Sequence, residues 1–168
     1  MGNWRWVWAL VLVVFVAGIA FALRRRAAQQ PPPTPPPKDT NAVMASLADE
    51  AVSRARSEFQ QSLDFAPESV RKVEQILGKL YEVRAAGEMP DDRLHREAET
   101  WGAYIGEVIR RHMGGHWEKD HEVGGPDSYP LHHGGGQSFP VAWCGKRLIN
   151  GDEDNVWFKY QVMTTPKD

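Results

Sequence analysis

Seventeen consecutive residues without a charge, Val7 to Leu23, read V-W-A-L-V-L-V-V-F-V-A-G-I-A-F-A-L, and the apolar character reaches back to Trp4 past Arg5 alone. Twenty residues of helix rise about 30 Å, the thickness of a bilayer's hydrocarbon core. Trp4, Trp6 and Trp8 crowd one end, where indoles favour the membrane interface, and Arg24-Arg25-Arg26 closes the other. Residues 4–23 are therefore expected to form a single-pass transmembrane helix of the signal-anchor type. The arginine triplet keeps its own side cytoplasmic, which places the following body at the cytoplasmic face of the inner membrane. The competing reading is a cleaved secretory signal: Arg5 precedes the apolar run and Ala20-Phe21-Ala22 offers small residues, so cleavage near Ala22 would send the body to the periplasm or outside. Gly18 and Ala22 form a small-xxx-small pair, a foothold for oligomerisation through the membrane.

Residues 24–39 read as an Arg- and Pro-rich linker. Six of the chain's twelve prolines fall in P-P-P-T-P-P-P at Pro31 to Pro37. Seven residues of polyproline II span about 20 Å, so the segment is expected to act as a stiff stand-off. A Pro-x-x-Pro ligand reading also exists.

Residues 40–168 read as a folded α+β domain. The four arginines of the first 26 residues hide an acidic remainder of 16 basic and 22 acidic residues. That balance argues against nucleic acid, whose backbone is held mainly by accumulated Lys and Arg. Cys144 is the single cysteine, which excludes an intrachain disulfide framework and any multi-cysteine zinc site.

Hydrophobic periodicity predicts a first helix over about 42–63, with apolar positions Val43, Leu47, Ala51, Ala55, Phe59 and Leu63. A short Asp64-Phe65-Ala66 connection leads to a second helix opening at Pro67, striped by Val70, Val73, Ile76, Leu77, Leu80 and Val83 and stopped by Gly87. A third helix starts at Asp91 or Asp92 and ends at Met113 before Gly114-Gly115, with Ala98, Trp101, Ile105, Val108, Ile109 and His112 inward. Gly102 and Gly106 each weaken it by about 1 kcal/mol relative to Ala, a loss that close approach of another backbone would offset. Beyond Gly115 the pattern turns strand-like at His116–Val123, Ser128–His132 and Val156–Val162, with a helix at Pro140–Asn150 stopped by Gly151. Three to four helices followed by a short antiparallel sheet is the expected body.

Five of the six histidines, His112, His116, His121, His132 and His133, lie within 22 residues beside Glu118, Asp120 and Glu122. Imidazole and carboxylate are common ligands of divalent metals, so a site built from His116, Glu118, His121, His132 and His133 is one candidate chemistry. Strand alternation splits that set between two faces, and no H-E-x-x-H is present. His133-Gly134-Gly135-Gly136 lacks the G-x-S-x-G partner of an esterase loop. No phosphate-cradling glycine motif occurs, so no cofactor and no catalytic residue is expected. Cys144 shares a helix face with Val141 and Leu148 and reads as packing. On the third helix, Glu107 stands three and four residues from Arg110 and Arg111 beside Tyr104, a polar group suited either to surface ion pairs or to contact with a partner.

The segments W-G-A-Y-I-G-E-V-I-R-R (101–111), G-G-x-W (114–117) and K-R-L-I-N-G (146–151) resemble an uncharacterised bacterial domain family that carries a G-A-Y-x-G-E-V-I-R helix, G-G-x-W and K-R-x-x-N-G. The resemblance covers about residues 64 to 163. It implies a small α+β body with a helical first half, brings no reaction, and marks Gly102, Tyr104, Gly106, Glu107 and Arg110 as a specific element.

These readings converge on a membrane-anchored protein whose body contacts another protein, as an interaction or inhibitory module, through Tyr104, Glu107, Arg110 and Arg111. A metal-assisted hydrolase and a structural envelope component are the alternatives.

Overall fold

The computed structural model describes residues 39–119, 128–134 and 136–165. The expected membrane span at 4–23, most of the linker, and His121 lie outside them. Among the described residues no helix is long and apolar enough to cross a membrane. Lys38–Asp168 forms a compact unit with its own core.

Its elements run α1 (Thr40–Phe59), α2 (Ser69–Ala85), α3 (Asp91–Met113), β1 (His116–Trp117), β2 (Leu131–His133), β3 (Gly136–Ser138), α4 (Pro140–Asn150), a 3₁₀ turn (Gly151–Asp154) and α5 (Val156–Thr164). The body is α+β, as expected, but with five helices among the described residues and with the sheet inside the helical series instead of after it. The strands are antiparallel in the order β1-β2-β3, with Trp117 opposite Leu131 and Leu131 opposite Ser138.

α3 is the spine. Every residue from Thr100 to Ile109 is buried, so this stretch is covered on all sides, as befits a helix in the middle of a small protein. α1 and α4 pack along it. Asp39 caps α1 by accepting from the backbone N–H of Asn41 at 3.0 Å. The face α1 turns inward is Met44, Ala48, Ala51 and Ala55, one residue round from the expected Val43 and Leu47, which lie part-way to solvent. Its small side chains bring the two helix axes close.

α2 buries the predicted Val70, Val73, Ile76, Leu77 and Leu80, starts two residues after Pro67, and is followed by Gly87 at φ +79°. α3 and α4 have the bounds read from their caps. Two expectations are corrected. His112 is exposed, its ring bonded to the Val108 carbonyl 2.8 Å away. Val156–Val162 is a helix and not a strand, because the side chain of Asn155 accepts from the backbone N–H of Phe158 at 2.8 Å and opens a helical turn. Val156 and Tyr160, four apart, supply its buried face.

Candidate functional site

The polar group of α3 is built into the core. Tyr104 is fully buried; its hydroxyl accepts from the Phe65 amide at 2.9 Å and bonds Ser69 Oγ at 2.6 Å. Phe65 holds φ +60°, a strained backbone for a bulky residue, and its ring stacks on Tyr104 with centroids 4.8 Å apart. Tyr104 thus fixes the turn that delivers the chain into α2. Burial raises its phenol above the ordinary range.

Glu107 is also fully buried. Its Oε1 accepts from the Trp117 indole N–H at 3.0 Å and from Arg110 Nε at 2.8 Å, and its Oε2 accepts from Arg110 Nη2 at 2.8 Å. The hydrogen-bonded carboxylate holds the Arg110 guanidinium above its ordinary value. The Trp117 ring lies directly over Gly106, where an added Cβ would stand 2.0 Å from the indole. Gly102 does the same for α4, since a Cβ there would meet the Val141 backbone at 2.4 Å. The glycine pair therefore receives one helix backbone, at Gly102, and one indole, at Gly106, where close approach of another backbone was expected. Gly115, at φ +114°, runs against the His132 carbonyl and turns the chain from α3 into β1.

Tyr104 and Glu107 accordingly offer no surface to a partner. Arg110 and Arg111 do reach solvent, and the Arg111 guanidinium lies 3.4 Å from the centroid of the Phe65 ring.

Two further buried carboxylates are equally engaged. Glu97 accepts from the Trp101 indole N–H at 2.9 Å and from Arg54 Nη2 at 2.9 Å, repeating the indole–carboxylate–arginine arrangement of Glu107. Glu74 accepts from Arg147 Nε at 2.6 Å and from the Val156 amide at 2.8 Å. Arg147 also donates to Asp152 at 2.7 Å, and Gly151, at φ +77°, leaves room for the Tyr81 ring. Sequence reasoning did not identify Glu74 or Glu97, whose hydrogen-bonded arginines, Arg147 and Arg54, lie on other elements. The K-R-x-x-N-G segment is therefore a joint between α2, α4 and α5.

The histidine set divides. His116 and His132, opposite one another on β1 and β2, stack with centroids 5.1 Å apart, and His132 Nε2 lies 2.8 Å from Glu118 Oε2. His133 points the other way, into the body, with Nε2 3.1 Å from Ser138 Oγ. Burial, with help from neighbouring His132, lowers its value below the ordinary histidine range. Among the described residues no three metal-ligating side chains converge. Cys144 is fully buried and its thiol is pushed up by that burial, away from nucleophilic use.

What α3 and α4 do present outward is a groove of about 860 Å³ between them. Leu94, Ala98, Val141 and Ile149 supply aliphatic walls; Tyr129, Phe139 and Trp143 supply three rings; His95, Glu99 and Lys146 stand among the lining. The rings are each half-buried, and Ile149 is 59% exposed. No sequence reading found the groove, because its walls come from both sides of the β hairpin. Comparison of the chain with protein-family models, with curated proteins and with solved structures finds no match.

Proposed function

We propose that this protein is a single-pass, membrane-anchored interaction module, with residues 4–23 as its anchor in the inner membrane and its body on the cytoplasmic side. Its body binds another protein through the α3–α4 groove. The groove carries this reading: it is concave, mixes aliphatic and aromatic walls with a few charges, and stands on a rigid helix pair. The engaged state of Glu74, Glu97 and Glu107 supports a binding role, since each buried carboxylate already holds an arginine and a second donor. Arg111, exposed beside Phe65, is the member of the α3 polar set open to an additional contact. The family resemblance fits the same reading, its motif residues being those that set α3 against α4 and β1.

A photo-crosslinking side chain at exposed Ala142, in the groove, is expected to give one discrete adduct in native membranes. The same group at exposed Ser57, outside the groove, is expected to give none. Equal labelling from both positions, or no adduct from any groove position, overturns the reading. Carbonate washing that releases the full chain overturns the anchor.

A further inference from the structure

A cavity of about 560 Å³ lies where the end of α3 meets the start of α2 and α5, and it shares no wall residue with the α3–α4 groove. No lysine or arginine lines it; Glu68 supplies a carboxylate. Tyr160 is 4% exposed, yet among the described residues its hydroxyl has no hydrogen-bond partner. Burial, and then the charge of Glu68, raise that phenol above its ordinary range, so the carboxylate and the phenol lie within electrostatic reach of each other.

The wall is weighted toward acceptors. The Val108 carbonyl can only accept, so the neutral His112 ring carries its proton on Nδ1, 2.8 Å away, and keeps a lone pair on Nε2. Thr164 and Thr165 spend their hydroxyl hydrogens on the carbonyls of Tyr160, at 2.9 Å, and Gln161, at 2.7 Å. Their oxygens too are left as acceptors. The Trp157 and Tyr160 rings lie near parallel with centroids 5.8 Å apart, and aromatic faces attract cations.

A wall of this kind lacks a positive group with N–H to give. An alkylammonium has three donors and no acceptor, and its methylene stem suits the apolar surface of Met113 and Pro67. Acceptors drawn from α3, α5 and the residue before α2 surround a point charge better than they meet the planar fork of a guanidinium.

We infer that this cavity binds a primary alkylammonium group, with Glu68 as its counter-ion and with His112 Nε2 and the Tyr160 oxygen as acceptors. A lysine side chain of another protein and a free diamine carry the same chemistry. The inference stands whether or not the α3–α4 groove is a docking surface.

The test titrates the full chain in non-ionic detergent with cadaverine and, separately, with N-acetyl-lysine methylamide, by calorimetry at up to about 10 mM. Saturable binding is expected, and pentanediol, with the same stem and no charge, is expected to give none. Glu68→Gln, at an exposed position whose side chain caps nothing, should weaken binding about tenfold. Tyr160→Phe keeps the ring and removes a hydroxyl that has no protein partner. It should weaken binding about threefold and leave the thermal midpoint in place. Glu50→Gln, an exposed acid outside the cavity, should change nothing. The tighter of the two amines names the source, a free amine or a protein side chain, and either supports the inference. No saturation by either amine, equal binding of the diol, or affinity unmoved by both Glu68→Gln and Tyr160→Phe overturns it.

Discussion

Gly106 and Trp117 show what a missing methyl group does here. The indole occupies the volume where any other residue would carry its Cβ, and its N–H reaches the buried Glu107. Gly106→Ala should cost about 1–3 kcal/mol through overpacking, although alanine favours the helix, and urea titration should show the lowered midpoint. A red shift of the folded state's tryptophan emission should accompany it as the ring is displaced. His133 makes a second prediction, in pH. Its folded value lies below the ordinary one, so as pH falls past about 6.5 an unfolded chain takes up a proton that the native state refuses until its own lower value. The contribution is complete above that range and is lost on descent. Wild type should lose more stability than His133→Asn between about pH 7 and about pH 5, by denaturant titration at each pH. The carboxylates with lowered values, Glu58, Asp92 and Asp154, act further down, below the ordinary carboxylate range.

At the scale of elements, α3 and α4 were legible because their ends carry local signals: Asp91 and Asp92 opening α3, Pro140 opening α4, and glycine after each. α5 was not. Its alternation of Val156, Phe158, Tyr160 and Val162 mimics a strand, while Val156 and Tyr160 also satisfy helical spacing, and a short apolar run does not choose between them. Asn155 chooses. Asn155→Ala should remove about 1 kcal/mol by losing the bond to the Phe158 amide, while Asn155→Asp retains most of it, as thermal melts would show. Tyr104 and Glu107, unlike Arg110 and Arg111, are buried where an outward position was expected, for a related reason. Polar types on a helix are read as outward, and the donors that hold Tyr104 and Glu107 inside sit 39 and 10 residues away. The G-G-x-W segment held a clue, since its tryptophan needed a seat and Gly106 supplied one. In the histidine set direction decides what can meet: His132 and His133 are neighbours, so one faces out and the other in.

At the scale of the molecule, the buried hydrophobic residues among those described run from Met44 to Tyr160, within the compact unit Lys38–Asp168. Removing residues 1–38 is expected to shift the midpoint of thermal unfolding by less than the roughly 4 °C that 1 kcal/mol is worth in a domain of this size. A larger loss would mean that the first segment stabilises the body.

The clasp at Glu74 has a bearing on how the chain is made. Its carboxylate waits for Arg147, 73 residues later, and for the Val156 amide, 82 residues later. Until synthesis has passed those positions, α2 has no lid and α3 has α1 beside it but not the wall that α4 supplies. The apolar flanks of α3 that α4 covers are then open to solvent. Nascent chains of this protein should consequently lean on holdase chaperones until almost the last residues emerge, and a premature stop before Arg147 should leave an insoluble remnant and not a smaller working body.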